Sequence, residues 1–250
     1  MTAPVRVLRS VRGLPGLPGL LPDMSTRAAG ATERMDNPHC DLATLERTYA
    51  QFPIVNAVVT GWRSVYRRHV RPLLEAGRTT TAVDIGSGGG DLTRALTRWA
   101  RRDGFRLQIT GVDPDPRAHT WAIRQPAEPG LSFRRALSSE LVAEGVEVDL
   151  VFSNHLLHHL EGDDLAQLLA DSQRLARRRV VHSDISRSSM AYALFSVGTL
   201  PFPGSFIRED GLTSIRRSRT TAELRAEAPA GWRVETLGPW RNLLIRDSAG

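Results

Sequence analysis

The heptapeptide Asp84-Ile85-Gly86-Ser87-Gly88-Gly89-Gly90 constrains this chain more than any other stretch. It follows the apolar run Thr81-Ala82-Val83, and a helical pattern begins at about Asp91, so the glycines fall on a strand-to-helix turn. Glycine at alternate positions lets backbone approach a ligand where any Cβ would collide. The spacing also separates ligand classes. A dinucleotide fingerprint requires Gly-x-Gly-x-x-Gly; counted from Gly86, its third glycine would fall where Asp91 stands. No Lys-Ser/Thr pair follows, which excludes a P-loop.

Strands and helices alternate around this turn. Strands are expected near 80–85, 107–112, 131–135, 148–153 and 179–184, and helices near 91–102, 115–124, 138–143 and 163–177. Such alternation predicts a parallel sheet covered on both faces. In the best-marked helix, Asp163 and Asp164 occupy the first turn and Leu165, Leu168, Leu169 and Leu175 form the buried stripe. Two strands are expected between Trp232 and Arg246, around Gly238-Pro239. Upstream, apolar residues from Leu42 to Phe52 and from Ile54 to Leu74 recur at helical spacing. The chain thus divides into residues 1–34, a helical cap at 35–77 and an α/β domain at 78–250. The Pro/Gly-rich tract Leu14–Gly19 and the acid-poor start mark 1–34 as a disordered extension, or as the product of a start placed upstream of Met24 or Met35.

All 33 basic residues are arginine, a codon bias expected of a GC-rich, bacterial genome. The net charge is +6, but the first 34 residues hold five arginines against two acids, so the remainder is only mildly basic. A nucleic-acid enzyme usually carries a dense basic stripe. The best candidates here are Arg216-Arg217-x-Arg219 and Arg177-Arg178-Arg179, the latter read as the end of a helix. Cys40 is the single cysteine, leaving neither a disulfide framework nor a thiolate metal cage, and a reducing cytoplasm fits. No apolar run reaches the length of a membrane span.

Asp84 with its Gly-x-Gly-x-Gly turn resembles motif I of the class I S-adenosylmethionine (SAM) dependent methyltransferases. The resemblance covers about residues 78–247, and the following strand ends extend it. It implies a Rossmann-like seven-stranded sheet, mostly parallel with an antiparallel last strand. Helices would cover both faces, with the N-terminal helices and an insertion after strand five as a lid. It places Asp84, Gly86, Ser87, Gly88 and Gly90 beside the methionine part of SAM. Asp113, at the end of the next strand, would accept from the ribose hydroxyls; the competing reading is that Asp113-Pro114-Asp115-Pro116 only caps a helix. The acid that often holds adenine after strand three is missing here, leaving the Leu137 backbone and Ser138. Ser153-Asn154, opening Ser-Asn-His-Leu-Leu-His-His-Leu, resembles motif IV of the small-molecule branch. It lacks the Asn/Asp-Pro-Pro-Tyr run of enzymes that methylate nucleic-acid amino groups.

Methyl transfer from a sulfonium asks mainly for alignment and water exclusion, worth about 7–11 kcal/mol. A phenolic acceptor also has to lose a proton, and His155, His158 and Asp184 are the candidate acceptors of it. The adjacent pair His158-His159 argues against a metal site. Met190, Tyr192, Leu194, Phe195 and Phe202 suit an apolar lid; for Trp62 and Tyr66, spaced i,i+4, plain core packing is the favoured use and the pocket's other wall the alternative. The expected partner is a small hydrophobic acceptor, on a phenolic, quinol or polyketide-like molecule related to ubiquinone and menaquinone substrates. A monomer or homodimer is expected. The alternatives are an RNA or protein methyltransferase using the arginine clusters, and a SAM-binding subunit without catalysis.

Overall fold

The computed structural model describes residues 22–248. Arg6, Arg9, Arg12 and the Leu14–Gly19 tract therefore lie outside the described residues. Helix α1 (Leu42–Val59) starts at Asp41, whose carboxylate accepts the Thr44 N–H at 2.7 Å. The two stretches of helical spacing divide elsewhere than at Phe52–Ile54. Pro53 sits inside α1, and the chain turns instead at Gly61, in the left-handed region at φ 65°. Helix α2 (Trp62–Val65) then runs into a π-helical turn (Tyr66–Val70) and a 3₁₀ turn (Arg71–Leu73).

The alternating part follows: β1 (Thr79–Ile85), α3 (Asp91–Arg102), β2 (Arg106–Val112), α4 (Pro116–Arg124), β3 (Leu131–Arg134), α5 (Ser138–Ala143), β4 (Val148–Asn154), α6 (Gly162–Leu175) and β5 (Ala176–Ile185). A 3₁₀ turn at Leu157–His159 links β4 to α6. Helices α7 (Ser189–Gly198), α8 (Ile207–Arg217) and α9 (Thr221–Glu227) fill the insertion, and β6 (Arg233–Thr236) and β7 (Arg241–Asp247) end the described fold. The sheet order is β3-β2-β1-β4-β5-β7-β6, with β7 antiparallel to both its neighbours. This is the expected Rossmann-like sheet, and its order reverses between β1 and β4. Ligand crevices form outside the carboxyl ends of strands at such a reversal.

Period-two alternation sorts the core into two layers. Leu150, Phe152, Leu243 and Ile245 face Trp62, Tyr66 and Leu96. The intervening Val151 and Leu244 face Leu165, Leu169 and Leu175. Each such side chain contributes about 1.5–3 kcal/mol by burial.

The Arg177-Arg178-Arg179 run departs from the sequence reading. It belongs to β5 rather than to the end of α6, because each guanidinium has a carboxylate at that edge of the sheet. Arg177 pairs with Glu147 at 2.8 Å, Arg178 with Glu75 at 3.1 Å, and Arg179 with Asp247. Residues 22–34 do not stand apart from the domain. Arg187 donates to Met24 O at 3.0 Å, and Arg27 donates to the carbonyls of Arg217 and His158 while pairing with Glu161 at 2.8 Å. Among the described residues, no helix is long and apolar enough to cross a membrane.

Gly90 opens α3 at φ 79°, and a Cβ there would run into the Phe133 ring. Gly145 has a similar φ of 71° but open space beyond it. Gly145→Ala should therefore cost about 1 kcal/mol, the left-handed penalty alone. Gly90→Ala should cost about 2–4 kcal/mol, because overpacking adds to it. Urea unfolding of the two variants beside wild type measures the difference.

Candidate active site

A cavity of about 770 Å³ lies over the strand ends, enclosed by α1, α7, α8 and residues 33–36. Its floor on one side is the glycine turn. Asp84, at the end of β1, is buried; its Oδ2 accepts from Thr93 Oγ1 at 2.7 Å, and its Oδ1 has no partner. Burial pushes this carboxyl up to about 7, and the nearby Asp91 and Asp113 add to the rise. Gly86 and Gly88 adopt φ of 67° and 51°. A Cβ on Gly86 would meet Leu156 at 3.1 Å, whereas the space beyond Gly88 is open. The turn therefore leaves a cradle beside a carboxylate that lacks a counter-charge.

In the Asp113–Pro116 segment the two acids have different partners. The helix cap is Asp115, which accepts the Arg117 N–H at 2.7 Å. Asp113 accepts the Gly88 N–H and the Asp115 N–H, both at 2.9 Å, and lines the cavity together with Pro114. It braces the glycine turn while leaving lone pairs toward the cavity. A cationic amine beside Asp84 and a diol beside Asp113 would satisfy both groups, so these residues fit SAM.

Asp84, Gly86, Ser87, Gly88, Asp113, Pro114, Asn154, His155 and His158 all line this one cavity. Gly90, Leu137, Ser153 and Asp184 do not. Gly90 is occupied by helix entry, as described above. Leu137 is 52% exposed on the surface, and Ser138 Oγ donates to Asp171 at 2.8 Å. Ser153 is buried beneath the strand end, 2.7 Å from His182 Nδ1.

The three groups expected to accept a proton are all engaged. Asp184 takes the His158 N–H at 2.7 Å, His158 Nδ1–H at 2.8 Å and the Ile185 N–H at 2.7 Å. On its far side, His158 Nε2 lies 3.2 Å from Glu33 Oε1, and Glu33 also accepts from Ser214 Oγ at 2.7 Å. Burial opposes charge on His158, but Asp184 and Glu33 outweigh it and raise its pKa to about 9. Burial likewise opposes ionisation of Asp184, yet His158 holds it well below the usual carboxylate range. His158 is thus an imidazolium at neutral pH with no vacant nitrogen.

His155 differs. It is the one non-glycine with positive φ, 57°, among the described residues, and its N–H reaches Ser183 O at 3.0 Å. Burial, reinforced by Arg241, pushes its pKa well below the ordinary value. Its Nε2 meets Arg241 Nη1. Arginine can only donate, so Nε2 accepts and the proton of the neutral ring resides on Nδ1. In this tautomer Nε2 is occupied by Arg241 and Nδ1 carries the proton.

Sequence reading missed Glu33 and Arg241. Glu33 lay in the segment set apart as an extension, and Arg241 looked like an ordinary strand residue; neither sits in a recognisable motif. The roof is as expected in part: Leu194, Phe195 and Phe202 line the cavity and Met190 and Tyr192 do not, while Trp62 and Tyr66 take the favoured core positions. Trp62 instead donates to Asn154 Oδ1 at 2.9 Å. Glu33, His158 and His159 bring their ligand atoms within 4.8 Å of one another, so the adjacent histidines do converge. Arg217 already supplies positive charge to that group, 3.8 Å from Glu33 and 3.3 Å from His159 Nδ1. Arg219 is also buried, pairing with Glu227 at 2.5 Å and donating to Leu157 O at 2.7 Å. Arg217 and Arg219 therefore brace the fold and are withdrawn from any polyanion surface.

The fold and this cradle define a class, the SAM-dependent methyltransferases of class I. Residues 83–182 match the family model described as a methyltransferase domain. A ubiquinone biosynthesis O-methyltransferase from Methylobacterium sp. (strain 4-46) is 30% identical over 122 residues, 47% of this chain and 46% of that protein. The chain thus matches about half the length of that curated relative. Among solved structures, magnesium protoporphyrin IX methyltransferase from Synechocystis PCC 6803 with bound S-adenosylhomocysteine (SAH) superposes with a TM-score of 0.52. Its sequence identity is 16%, over 82% of this chain and 86% of that one. An O-methyltransferase family protein from Burkholderia thailandensis gives a TM-score of 0.58 at 14% identity, over 87% and 62%. At these identities the two structures speak for the fold.

The buried histidines set a pH dependence of stability. The raised pKa of His158 gives stabilisation that is complete below its unfolded value of 6.5 and lost as pH climbs through about 9. Burial depresses His182 to about 3 and His155 well below its ordinary value, so below pH 6.5 the unfolded chain takes up protons that the fold refuses. The histidines' combined contribution to the melting temperature should peak near pH 6.5, while Asp84, raised to about 7, contributes a fall between its unfolded value of 3.8 and about 7. His158→Gln should abolish the alkaline decline and lower peak stability by about 3 kcal/mol, because Asp184 loses its buried partner. Calorimetric melting between pH 5 and 9 reads both effects.

Proposed function

We propose that this protein transfers the methyl group of SAM to a small, largely apolar acceptor, at a hydroxyl oxygen of a phenolic, quinol or polyketide-like molecule. The observation that carries the cofactor half is the unpartnered Asp84 Oδ1 beside the open space at Gly88, within one cavity that also holds Asp113. Asp84 would take the ammonium group and recover its ionised form. The N–H groups of Gly86, Ser87, Gly88 and Gly90 are engaged within the fold, which leaves that of Gly89 to meet a carboxylate. Asp113 would accept from the ribose hydroxyls. When bound, the sulfonium supplies an activated methyl group and leaves as a neutral thioether.

The acceptor half is argued from the roof. Phe52, Val55, Leu194, Phe195, Phe202 and Ile207 give it an apolar wall. Ile54, Val58 and Leu194 stay exposed at the rim, at 61%, 82% and 51%, which suits an apolar molecule entering from that side. These walls align the acceptor and exclude water, the main demand of the reaction. His155 Nδ1–H is available to hold an acceptor oxygen. The match to the ubiquinone-pathway O-methyltransferase supports oxygen as the accepting atom. Burial of Arg217 and Arg219 speaks against the RNA or protein reading.

Calorimetric titration with SAM and SAH tests the cofactor assignment. Micromolar binding is expected, weakened by at least about tenfold in both Asp84→Asn and Asp113→Ala, since each loses charged hydrogen bonds. Failure of folded wild type to bind either molecule would sink the proposal. Binding with no methylation of any phenol or quinol would favour the subunit reading.

A further inference from the structure

We propose that Arg241 is the anion-recognition residue of the acceptor site, and that the acceptor presents a negatively charged oxygen to it, as a phenolate or a carboxylate. The inference rests on the methyltransferase reading and deepens it. Arg241 opens β7 and pairs in register with Ile185 at the end of β5, so it lies on the far side of β4 from the glycine turn. It lines the same cavity, between Trp240 and the strand ends, yet it is only 6% exposed.

A buried guanidinium is ordinarily matched by a carboxylate. Among the described residues, no carboxylate lies within ion-pair distance of Arg241. Its donors go to neutral acceptors: Nη2 to Asn154 Oδ1 at 2.8 Å and to Ser183 Oγ at 3.0 Å, and Nη1 to His155 Nε2. Nε is buried with no acceptor at all. Asp184 acts on it from beyond ion-pair range and is itself committed to His158. Burial lowers the Arg241 pKa to about 10, still well above neutrality, so the charge persists. The cavity thus holds, at its acceptor end, a positive charge without an ion-pair partner.

The same arrangement answers a difficulty of the site. Asp184, His155 and His158 offer no free base, whereas a phenol with a pKa of about 10 must ionise to attack efficiently. A fixed cation lowers that pKa within the cavity, and the proton passes to solvent water before transfer. The phenolate electron pair then forms the O–CH₃ bond, and the pair of the broken S–CH₃ bond stays on sulfur. A carboxylate elsewhere on the acceptor would use Arg241 for orientation instead.

The test uses full-length protein saturated with SAH, titrated with 4-nitrophenol, benzoate and nitrobenzene as a neutral isostere. Absorbance distinguishes bound 4-nitrophenolate from the neutral phenol. Wild type is expected to bind an anion at least about tenfold more tightly than nitrobenzene. Preference for 4-nitrophenolate identifies charge on the reacting oxygen, and preference for benzoate identifies a carboxylate handle. Arg241→Met should lose that preference while retaining SAH affinity, and Arg241→Lys should recover part of it. Equal binding of anionic and neutral probes by wild type would overturn the inference, as would undiminished anion preference in Arg241→Met. Retained SAH binding shows that each variant is folded. Its absence in wild type would remove the cofactor reading, a failure distinct from that of Arg241.

Discussion

The Asp184 carboxylate joins the three parts of this molecule. From the end of β5 it holds the turn after β4 through both the backbone and the ring of His158. Through His158 it reaches Glu33 on the N-terminal segment, and through Glu33 it reaches Ser214 on α8. Sheet, roof and N-terminal segment are thereby linked by one chain of charged hydrogen bonds, which are among the stronger interactions available to a buried polar group. The cost of desolvating these groups is large. Its structural return is a cavity whose roof has a fixed height over the strand ends.

With His158 locked as a cation, the nearby imidazoles acquire different duties. His155, held in the left-handed region, stays neutral and accepts from Arg241. His182, stacked 5.6 Å from Trp232, stays neutral beneath the sheet edge. One residue type thus supplies a structural cation, a neutral cavity-lining acceptor and a packing group. The difference comes entirely from which neighbour each ring faces.

Much of the cofactor side was legible because it is contiguous. Asp84 through Gly90 is one strand-to-helix turn, and Asp113 follows it by one strand–helix–strand unit, so local spacing carries the geometry. The acceptor side is assembled from residues distant in sequence, and it was mostly hidden. Glu33 sits in a segment that composition sets apart, and Arg241 sits in a strand whose pattern reads as plain alternation. The histidines were found by their clustering, but their protonation depends on Glu33 and Arg241 and could not be read without them. Arg177–Arg179 misled for a related reason: a basic run suits a helix end by local rules, and only carboxylates from other elements show it to be strand. Leu137, read for its backbone, gives its N–H to Glu140 and lies outside the cavity lining.

The topology carries a consequence for the order in which the protein can be made. Strand β7 is the last element of the described fold, yet it lies between β5 and β6 and is the only partner of β6. During synthesis, domains begin to fold from the N-terminal end. The glycine turn, β1, β2 and β4 can therefore assemble while the ribosome still holds the last strand. Until β7 emerges, β5 is a bare edge, a kind of surface prone to unwanted pairing. Arg241 arrives with that strand, so the charge at the acceptor end appears only as the sheet closes. A nascent chain can hold a finished cradle while its other half is still without a wall.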